Sequence, residues 1–315
     1  MLPAQKLRKM GCYSFVAVTA TAISLLASHP TRAQSQEKSP FSFDVSVGAE
    51  YDSNITVDEL DQETGEDDIA AIIEAEAEYK KGLSENTDIA VSYSFSQSLH
   101  DEFTDFDLQS HFASIDLVHD FGSFDLGGAY RFVYASLGGD GFLTFQQLSP
   151  YVSSFLSEKL FVRAEYSYTD KAFKNRIDRD SDVHAFGADL YYFINGVRTY
   201  LVFGYKFETE DAVASQFDFD GHNFKVRLSQ RFKVAGRDAQ LKLSWRYEAR
   251  NYSGITPSIG VERDDDRHRL QADLELPISD RFYTAIEYTY TNFSSNLAAA
   301  DYTQNLLTAR LGYRF

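Results

Sequence analysis

Apolar side chains recur at every second position through most of this sequence, and this pattern restricts the chain to β-structure. In the stretch FDVSVGAEY, from Phe43 to Tyr51, apolar and polar residues alternate without interruption. Such a period gives a strand one apolar and one polar face. The stretch IAAIIEAEAEY at 69–79 alternates in the same way. A helix there would scatter the glutamates over every face, so we predict a strand despite the helical preference of alanine and glutamate.

Fourteen segments of this kind are predicted along the chain. They cover residues 43–51, 69–79, 89–95, 106–119, 126–134, 143–155, 160–168, 186–192, 201–207, 224–232, 239–247, 270–276, 282–290 and 307–315. The parity of 106–119 slips near Phe112, which predicts a bulge. The segment 143–155 is also less clear than the others, because it contains Pro150.

The connections between these strands alternate in length. Longer polar connections occupy 53–67, 98–105, 136–142, 169–181, 208–220, 250–263 and 292–301, and short turns lie between them. Seven long and six short connections are what fourteen strands require when both termini lie on one side. The sequence therefore predicts an all-β fold, a closed antiparallel transmembrane β-barrel of about 14 strands with short periplasmic turns and longer external loops.

A soluble β-sandwich or solenoid is the alternative for a chain of many short alternating strands. Its apolar stripes would have to share one core, and fourteen stripes offer more apolar surface than such a core needs. In a barrel each stripe faces lipid, and closure removes the unpaired edges that a bilayer does not tolerate. We therefore favour the barrel.

The first 33 residues have the order of a secretory signal peptide. Three basic residues precede the apolar run GCYSFVAVTATAISLLA, and a small-x-small site follows near Ala33. We predict a signal peptide at 1–33, a barrel domain at 34–315, and a location in the cell outer membrane. A spanning helix is the alternative, although the run is short for one.

Charge and cysteine content narrow the function further. Without residues 1–33, which hold four of the 30 basic residues, 26 remain against 47 acids, a formal charge of −21. This balance argues against a nucleic-acid partner. The single cysteine, Cys12, lies within the predicted signal peptide, so disulfides and thiolate zinc sites are excluded from the exported chain. We predict no cofactor and no resident metal.

The chain closes with LTARLGYRF, and its alternation continues to the last side chain. A last strand that pairs with the first to close a ring explains this ending. The stretch also resembles the C-terminal insertion signal of outer-membrane barrels, with a glycine, alternating aromatics and a terminal phenylalanine. This resemblance implies that Gly312, Tyr313 and Phe315 are recognised by the barrel-assembly machinery.

The motif VGAEYDSNI, on the first strand and its exit, resembles the opening of several outer-membrane barrel families. The resemblance rests on Gly48, Tyr51, Asp52, Ser53 and Asn54 and on the closing strand. These families include β-barrel porins and the fourteen-stranded C-terminal barrel of the surface lipoprotein assembly modifiers. The resemblance implies an exported barrel in the outer membrane.

Inward positions follow from the alternation once apolar residues are assigned to the lipid side. The predicted pore-lining residues are Glu74, Glu76, Glu78, Lys225, Arg227, Arg231, Lys242, Arg246, Arg269 and Arg310. Acids on the early strands and bases on the late strands would form different walls, an arrangement with which pores select solutes. We expect a narrow, water-filled lumen. The alternative is that these charges pair into a ladder that seals the barrel.

Two loop features allow chemistry outside the lumen. The stretch TVDELDQETGEDD at 56–68 carries seven acids between Asp58 and Asp68, which predicts a solvated loop or a weak divalent-cation site. We do not predict from the sequence which loop, if any, folds into the pore. His100 beside Asp101 is the one candidate for hydrolytic chemistry, but a lone loop histidine is typical of an ordinary surface, so we predict no enzyme.

The predicted function is a porin-like channel for passive passage of small hydrophilic solutes. An export or secretion barrel that works with a periplasmic partner is the alternative, and a structural or adhesive barrel without an open pore is the third. The predicted partners are outer-membrane lipid and lipopolysaccharide, together with the assembly machinery during insertion.

Overall fold

The computed structural model describes residues 39–315, so the predicted signal peptide lies outside the described residues. Fourteen antiparallel strands form a closed barrel, and a short two-stranded ribbon, β2 and β3, lies in the first loop. The ribbon strands are Thr56–Val57 and Gln62–Glu63. The barrel strands are β1 Phe41–Asp52, β4 Asp68–Gly82, β5 Thr87–His100, β6 Leu108–Asp120, β7 Asp125–Leu137, β8 Asp140–Ser157, β9 Leu160–Phe173, β10 Ser181–Phe193, β11 Thr199–Ala212, β12 Phe219–Val234, β13 Arg237–Thr256, β14 Val261–Pro277, β15 Phe282–Ser295 and β16 Tyr302–Arg314.

Every predicted strand is present, and consecutive strands are neighbours in the barrel. Many of the strands run further toward the long-loop end than the alternation predicts, so several predicted loops are partly strand. The predicted loop 136–142 is reduced to a turn at Gly138 and Gly139, both with positive φ. Glycine adopts this backbone conformation without steric penalty. No helix among residues 39–315 is long and apolar enough to cross a bilayer.

The two faces of the barrel wall differ as the alternation predicts. On β16, Leu307 is 47% exposed on the outer face, whereas its neighbour Thr308 is 1% exposed on the inner face and donates to Glu50 at 2.6 Å. On β6 the predicted bulge near Phe112 is wrong, because the pairing with both neighbours is continuous. Phe112 shares its face with the buried Ser110 and Ser114, so an aromatic side chain simply occupies an inner position.

Tyrosines on the outer face bond polar residues of the next strand near the long-loop end. The hydroxyls of Tyr93, Tyr166 and Tyr205 lie 2.7–2.9 Å from Nδ1 of histidines one hairpin further along the chain. Tyr288 repeats the pattern with Asn305 at 2.8 Å. Aromatic side chains with a solvated polar end are typical of the belt of aromatic residues at a membrane interface.

The first and last strands close the ring. β1 pairs with β16 from Asp44–Arg314 to Asp52–Leu306. The terminal Phe315 extends this pairing through two backbone hydrogen bonds with Phe43, at 3.0 and 3.1 Å. This explains why the alternation reaches the chain end. A role of Gly312, Tyr313 and Phe315 as an assembly signal stays a prediction.

Gly312 allows the Tyr283 ring to lie flat against the inner wall beside the closing seam. A Cβ atom at Gly312 would lie 2.1 Å from the Tyr283 ring, whose hydroxyl donates to Asp44 at 2.5 Å. We therefore expect Gly312→Ala to displace Tyr283, break its bond to β1 and lower the denaturant midpoint of the folded barrel. Gly128→Ala is the matched control, because a Cβ atom there meets nothing within 4 Å. Equal midpoints for the two variants would contradict this account of the seam.

Candidate functional site: the lumen and its first loop

The first loop, residues 53–67 and called L1 below, begins at the motif that carried the family resemblance. Asn54 holds the base of the loop: its backbone N–H donates to Asp52 at 3.0 Å and its side-chain amide donates to Glu63 at 2.9 Å. The side-chain Oδ1 of Asn54 accepts from the Gly65 N–H at 2.9 Å. Ser53 joins this base to β16 by accepting from the Asn305 N–H at 2.8 Å. The motif therefore fixes the direction in which L1 leaves the wall.

L1 folds inward and packs on the opposite wall of the barrel. Val57 and Leu60 are buried in an apolar cluster with inner-face residues of β7, β8 and β9. The wall residues of this cluster are Ala135, Phe142, Leu143 and Phe173, with Phe106, Leu108 and Leu137 packed against it. In the ring these strands are separated from β1 by several others in either direction. L1 therefore crosses the lumen near its long-loop end.

The acids of L1 bind arginines of the late strands and loops. Asp58 lies 2.9 Å from Arg267 on β14 and accepts a hydrogen bond from Tyr302. Asp61 lies 2.6 Å from Arg179 and 2.8 Å from Arg263. Apolar contacts with β7–β9, together with ion pairs to β14 and to the loop after β9, thus hold L1.

Burial and neighbouring basic groups determine the pKa values of the L1 carboxyls. Burial opposes ionisation of Asp61, but the guanidinium groups of Arg263 and Arg179 outweigh it and hold the pKa of Asp61 below its ordinary value. Glu59 projects toward Lys171 and Arg250, yet burial dominates and raises the pKa of Glu59 above its ordinary value. Docking of L1 therefore favours the ionised form of Asp61 and the protonated form of Glu59.

L1 is therefore a loop that folds into the lumen, which the sequence did not predict. The interpretation of 53–67 as a solvated loop or a divalent-cation site is wrong for its central acids, because Asp58 and Asp61 bind guanidinium groups. Among residues 39–315 no group of three His, Cys, Asp or Glu side chains is arranged to hold a metal. The alternation cannot reveal this docking, because it depends on residues more than a hundred positions away.

The predicted acidic wall lies near the closing seam. Glu74 accepts from Arg310 at 2.8 Å and from Ser46 at 3.1 Å, so these charges meet across β1. Glu78 pairs with Lys80 at 2.7 Å. Glu76 shares this inner face and is paired in register with Asp44 of β1. Arg310 also reaches Glu287 at 3.3 Å, which adds a second acid to the same cluster.

The predicted basic wall occupies β12, β13 and β14. Lys225, Arg246 and Arg269 stand directly opposite one another in the register of these three strands. Lys225 pairs with Asp189 at 3.0 Å, and Arg269 lies 3.6 Å from Asp58 of L1. The remaining candidates lie toward the short-turn end of the same wall. They are Arg227, Arg231 and Lys242.

Sequence reasoning missed several charged inner residues. Arg131 donates to Gln147 at 2.7 Å and Ser149 at 3.1 Å, and Arg163 donates to Glu165 at 2.8 Å. The same parity rule could have found both, because each alternates with outward apolar residues. Arg263 lies in a segment that was predicted as loop, so no alternation indicated its side.

A cavity of about 140 Å³ lies in the lumen against L1 and the β8–β13 wall. Glu59, Lys171, Lys225, Arg246 and Glu248 are among its lining residues. His100, the candidate for hydrolysis, lies elsewhere at the rim with Nδ1 3.4 Å from Asp107. Nδ1 of His100 is buried and has no hydrogen-bond partner within the described part of the chain. Acidic and basic side chains therefore line the cavity together.

Comparison with known proteins agrees with this architecture. The family model for the outer membrane protein beta-barrel domain matches residues 110–315, and the chain belongs to this family. It is thus an outer-membrane β-barrel protein. A search of curated protein sequences found no match.

Solved structures share the fold at low identity. An anion-selective porin from Comamonas acidovorans is 10% identical, with a TM-score of 0.50 over 87% of this chain and 98% of the porin. A loop L8 deletion mutant of OmpT, an outer membrane protein of Vibrio cholerae, is 11% identical, with a TM-score of 0.51 over 87% of this chain and 99% of that one. At these identities the likeness concerns the fold alone.

Proposed function

We propose that this outer-membrane barrel is a porin-like channel for passive passage of small hydrophilic solutes, with L1 as its constriction. The observation that carries the proposal is a charged inner face crossed by a loop that is bound at both walls. A barrel whose charges served only to brace it would pair them. Here the half-buried Arg227 and Arg246 form no ion pair with any residue of the described chain, and charges withdrawn from bulk solvent in this way need water or a partner.

The arrangement of L1 suits a constriction better than a permanent seal. Its contacts are two apolar side chains and a few ion pairs, and the cavity beside it is lined by acids and bases in similar numbers. Polar solutes pass such a lining because charged groups replace part of their hydration. Passage would therefore depend on solute size at L1 and on charge along β12–β14.

We expect the purified, detergent-folded barrel to give discrete current steps in planar lipid bilayers. Liposomes that contain it should swell in small sugars and progressively less in larger ones, because L1 narrows the path. Protein-free liposomes and liposomes with heat-denatured protein serve as controls. An absence of current and swelling, both in the native chain and in a variant without the central part of L1, would favour a closed structural barrel instead.

A further inference from the structure

Three basic side chains on the β12–β14 wall lie beneath L1, and two of them form no close ion pair with a described residue. Arg246 and Arg269 are directly opposite on β13 and β14, and Arg227 lies diagonally across from Arg246 on β12. Directly opposite residues on one face have Cβ atoms about 5 Å apart, and diagonal ones remain within reach of long side chains. We call Arg227, Arg246 and Arg269 the arginine strip.

Other arginines of these late strands are matched by carboxylates. Arg250 pairs with Glu248 at 2.6 Å, Arg263 with Asp265 at 2.8 Å, and Arg267 with Asp58 at 2.9 Å. On β16, Arg310 and Arg314 each reach two acids. The inner wall therefore supplies acids wherever an arginine serves to brace the barrel or to hold L1.

The arginine strip departs from this rule. In the described residues, Arg227 and Arg246 form no ion pair, and Arg269 has only the 3.6 Å approach of Asp58. The Nε groups of Arg227 and Arg269 are buried and lack a hydrogen-bond acceptor among these residues, as do those of Arg250 and Arg267, so the strip is distinguished by its missing carboxylate partners. Like charges directly opposite in a sheet repel one another, and buried donors without acceptors destabilise the fold. An arrangement of this kind is explained when an anion occupies it.

The chemistry of the strip favours an oxyanion with several acceptor oxygens. Each guanidinium presents its donors as a planar fork that matches phosphate oxygens bidentately. Three forks from three adjacent strands suit a tetrahedral group better than a spherical halide. Arg246 also lines the cavity against L1, so a bound group could be reached through the lumen.

We propose that Arg227, Arg246 and Arg269 form a binding subsite for the phosphate group of a small solute. This inference rests on the proposed function, because the solute would reach the strip through the lumen. Asp58 of L1 approaches Arg269 from the long-loop side, so the loop limits how far the group extends in that direction. A channel with this subsite would favour solutes that carry a phosphate group.

Binding is tested on the detergent-folded protein without any need for conduction. Thermal unfolding is followed as sodium phosphate replaces sodium chloride at constant ionic strength, since a ligand bound only to the folded state raises the melting temperature. We expect phosphate to stabilise the native chain. Arg246→Gln and Arg227→Gln should each weaken the apparent phosphate affinity by about tenfold, the loss expected for one charge-assisted bond.

Lys233→Gln is the control. It removes one positive charge from β12, the strand of Arg227, at an exposed position where Lys233 pairs with Asp238 at 2.9 Å. It should leave the phosphate response unchanged. Arg246→Lys keeps the charge but not the fork and should recover only part of the affinity. Full recovery with Arg246→Lys, or equal responses of the native chain to phosphate and chloride, would overturn the subsite.

The same preparation separates this inference from the proposed function. Phosphate binding without current in bilayers would remove the channel and leave the subsite. Current that phosphate neither blocks nor alters, together with no thermal response, would leave the channel and remove the subsite. In a conducting protein we expect millimolar phosphate to reduce the current of the native chain and of Lys233→Gln, and to affect Arg246→Gln less.

Discussion

Removal of the central part of L1 is expected to increase single-channel conductance several-fold. Ile55 and Thr64 are already joined in the base of the loop, where the Thr64 N–H donates to the Ile55 carbonyl at 3.0 Å. Residues 56–63 can therefore be replaced by an Asn-Gly turn, which suits a tight hairpin. The segment removed contains Val57 and Leu60, which pack on the opposite wall, and Asp58 and Asp61, which pair with arginines, so the lumen would widen where the loop now crosses it.

Conductance is measured in planar bilayers at neutral pH and compared with Val213→Ser. Val213 lies at the same end of the barrel, is 72% exposed and lies outside the apolar cluster that holds L1. The control should conduct like the native chain. Unchanged conductance in the shortened variant would place the narrowest part of the passage elsewhere, in the charged cluster near the seam or at the short-turn end.

Neutralising Asp61 is expected to release L1 by breaking its double ion pair. Asp61→Asn leaves Arg179 without its carboxylate and leaves Arg263 with Asp265 alone. Loss of one partner of a largely buried pair costs about 3 kcal/mol, which shifts a docking equilibrium about a hundredfold. The current should become larger and noisier, and L1 should become susceptible to added protease. Asp67→Asn, on an exposed acid at the end of L1, is the matched control.

Acid should reproduce this release only at low pH. Because the pKa of Asp61 is held below its ordinary value, its ion pairs are complete above that value and are lost as the pH falls through the lowered pKa. Glu59 acts in the opposite sense: burial raises its pKa, so protonation on mild acidification favours the docked loop. Tyr252 and Asp265 also face Asp61 and Arg263.

We therefore expect L1 to remain docked in mild acid and to open only in strong acid. Current through the native chain, recorded across that range, gives the profile. Glu59→Gln should abolish any tightening in mild acid without moving the opening in strong acid. An opening that begins near neutral pH in the native chain would contradict the assignment of Asp61.

The strand count and the facing of side chains were predictable because both depend on a local period of two. The alternation in FDVSVGAEY indicates β1 whatever the rest of the chain does, and the same rule places Glu74 and Arg310 on the inner face where they meet. The ends of the strands were less predictable. Beyond the hydrocarbon layer, residues such as Asp220 and Glu262 can continue a ladder in water, where neither face needs to be apolar.

The docking of L1 could not be predicted from local pattern. An acidic run such as Asp58–Asp61 is equally consistent with a solvated loop, and its arginine partners lie on β14 and in a later loop. Which charges remain unmatched, as in the arginine strip, is a property of the assembled wall. The motif Asp52–Asn54 was identified through resemblance, and its role in directing L1 inward emerges only from the hydrogen bonds at the loop base.

The long sequence distance between L1 and its partners has a consequence for biogenesis. Asp61 meets Arg179 across 118 positions, and Asp58 meets Tyr302 across 244. L1 precedes these partners in the chain, so its docking cannot be complete until the final strands are in place. Contacts of such separation form late and slowly. Newly inserted barrels should thus pass through a stage in which the ring is joined but its mouth is still unobstructed.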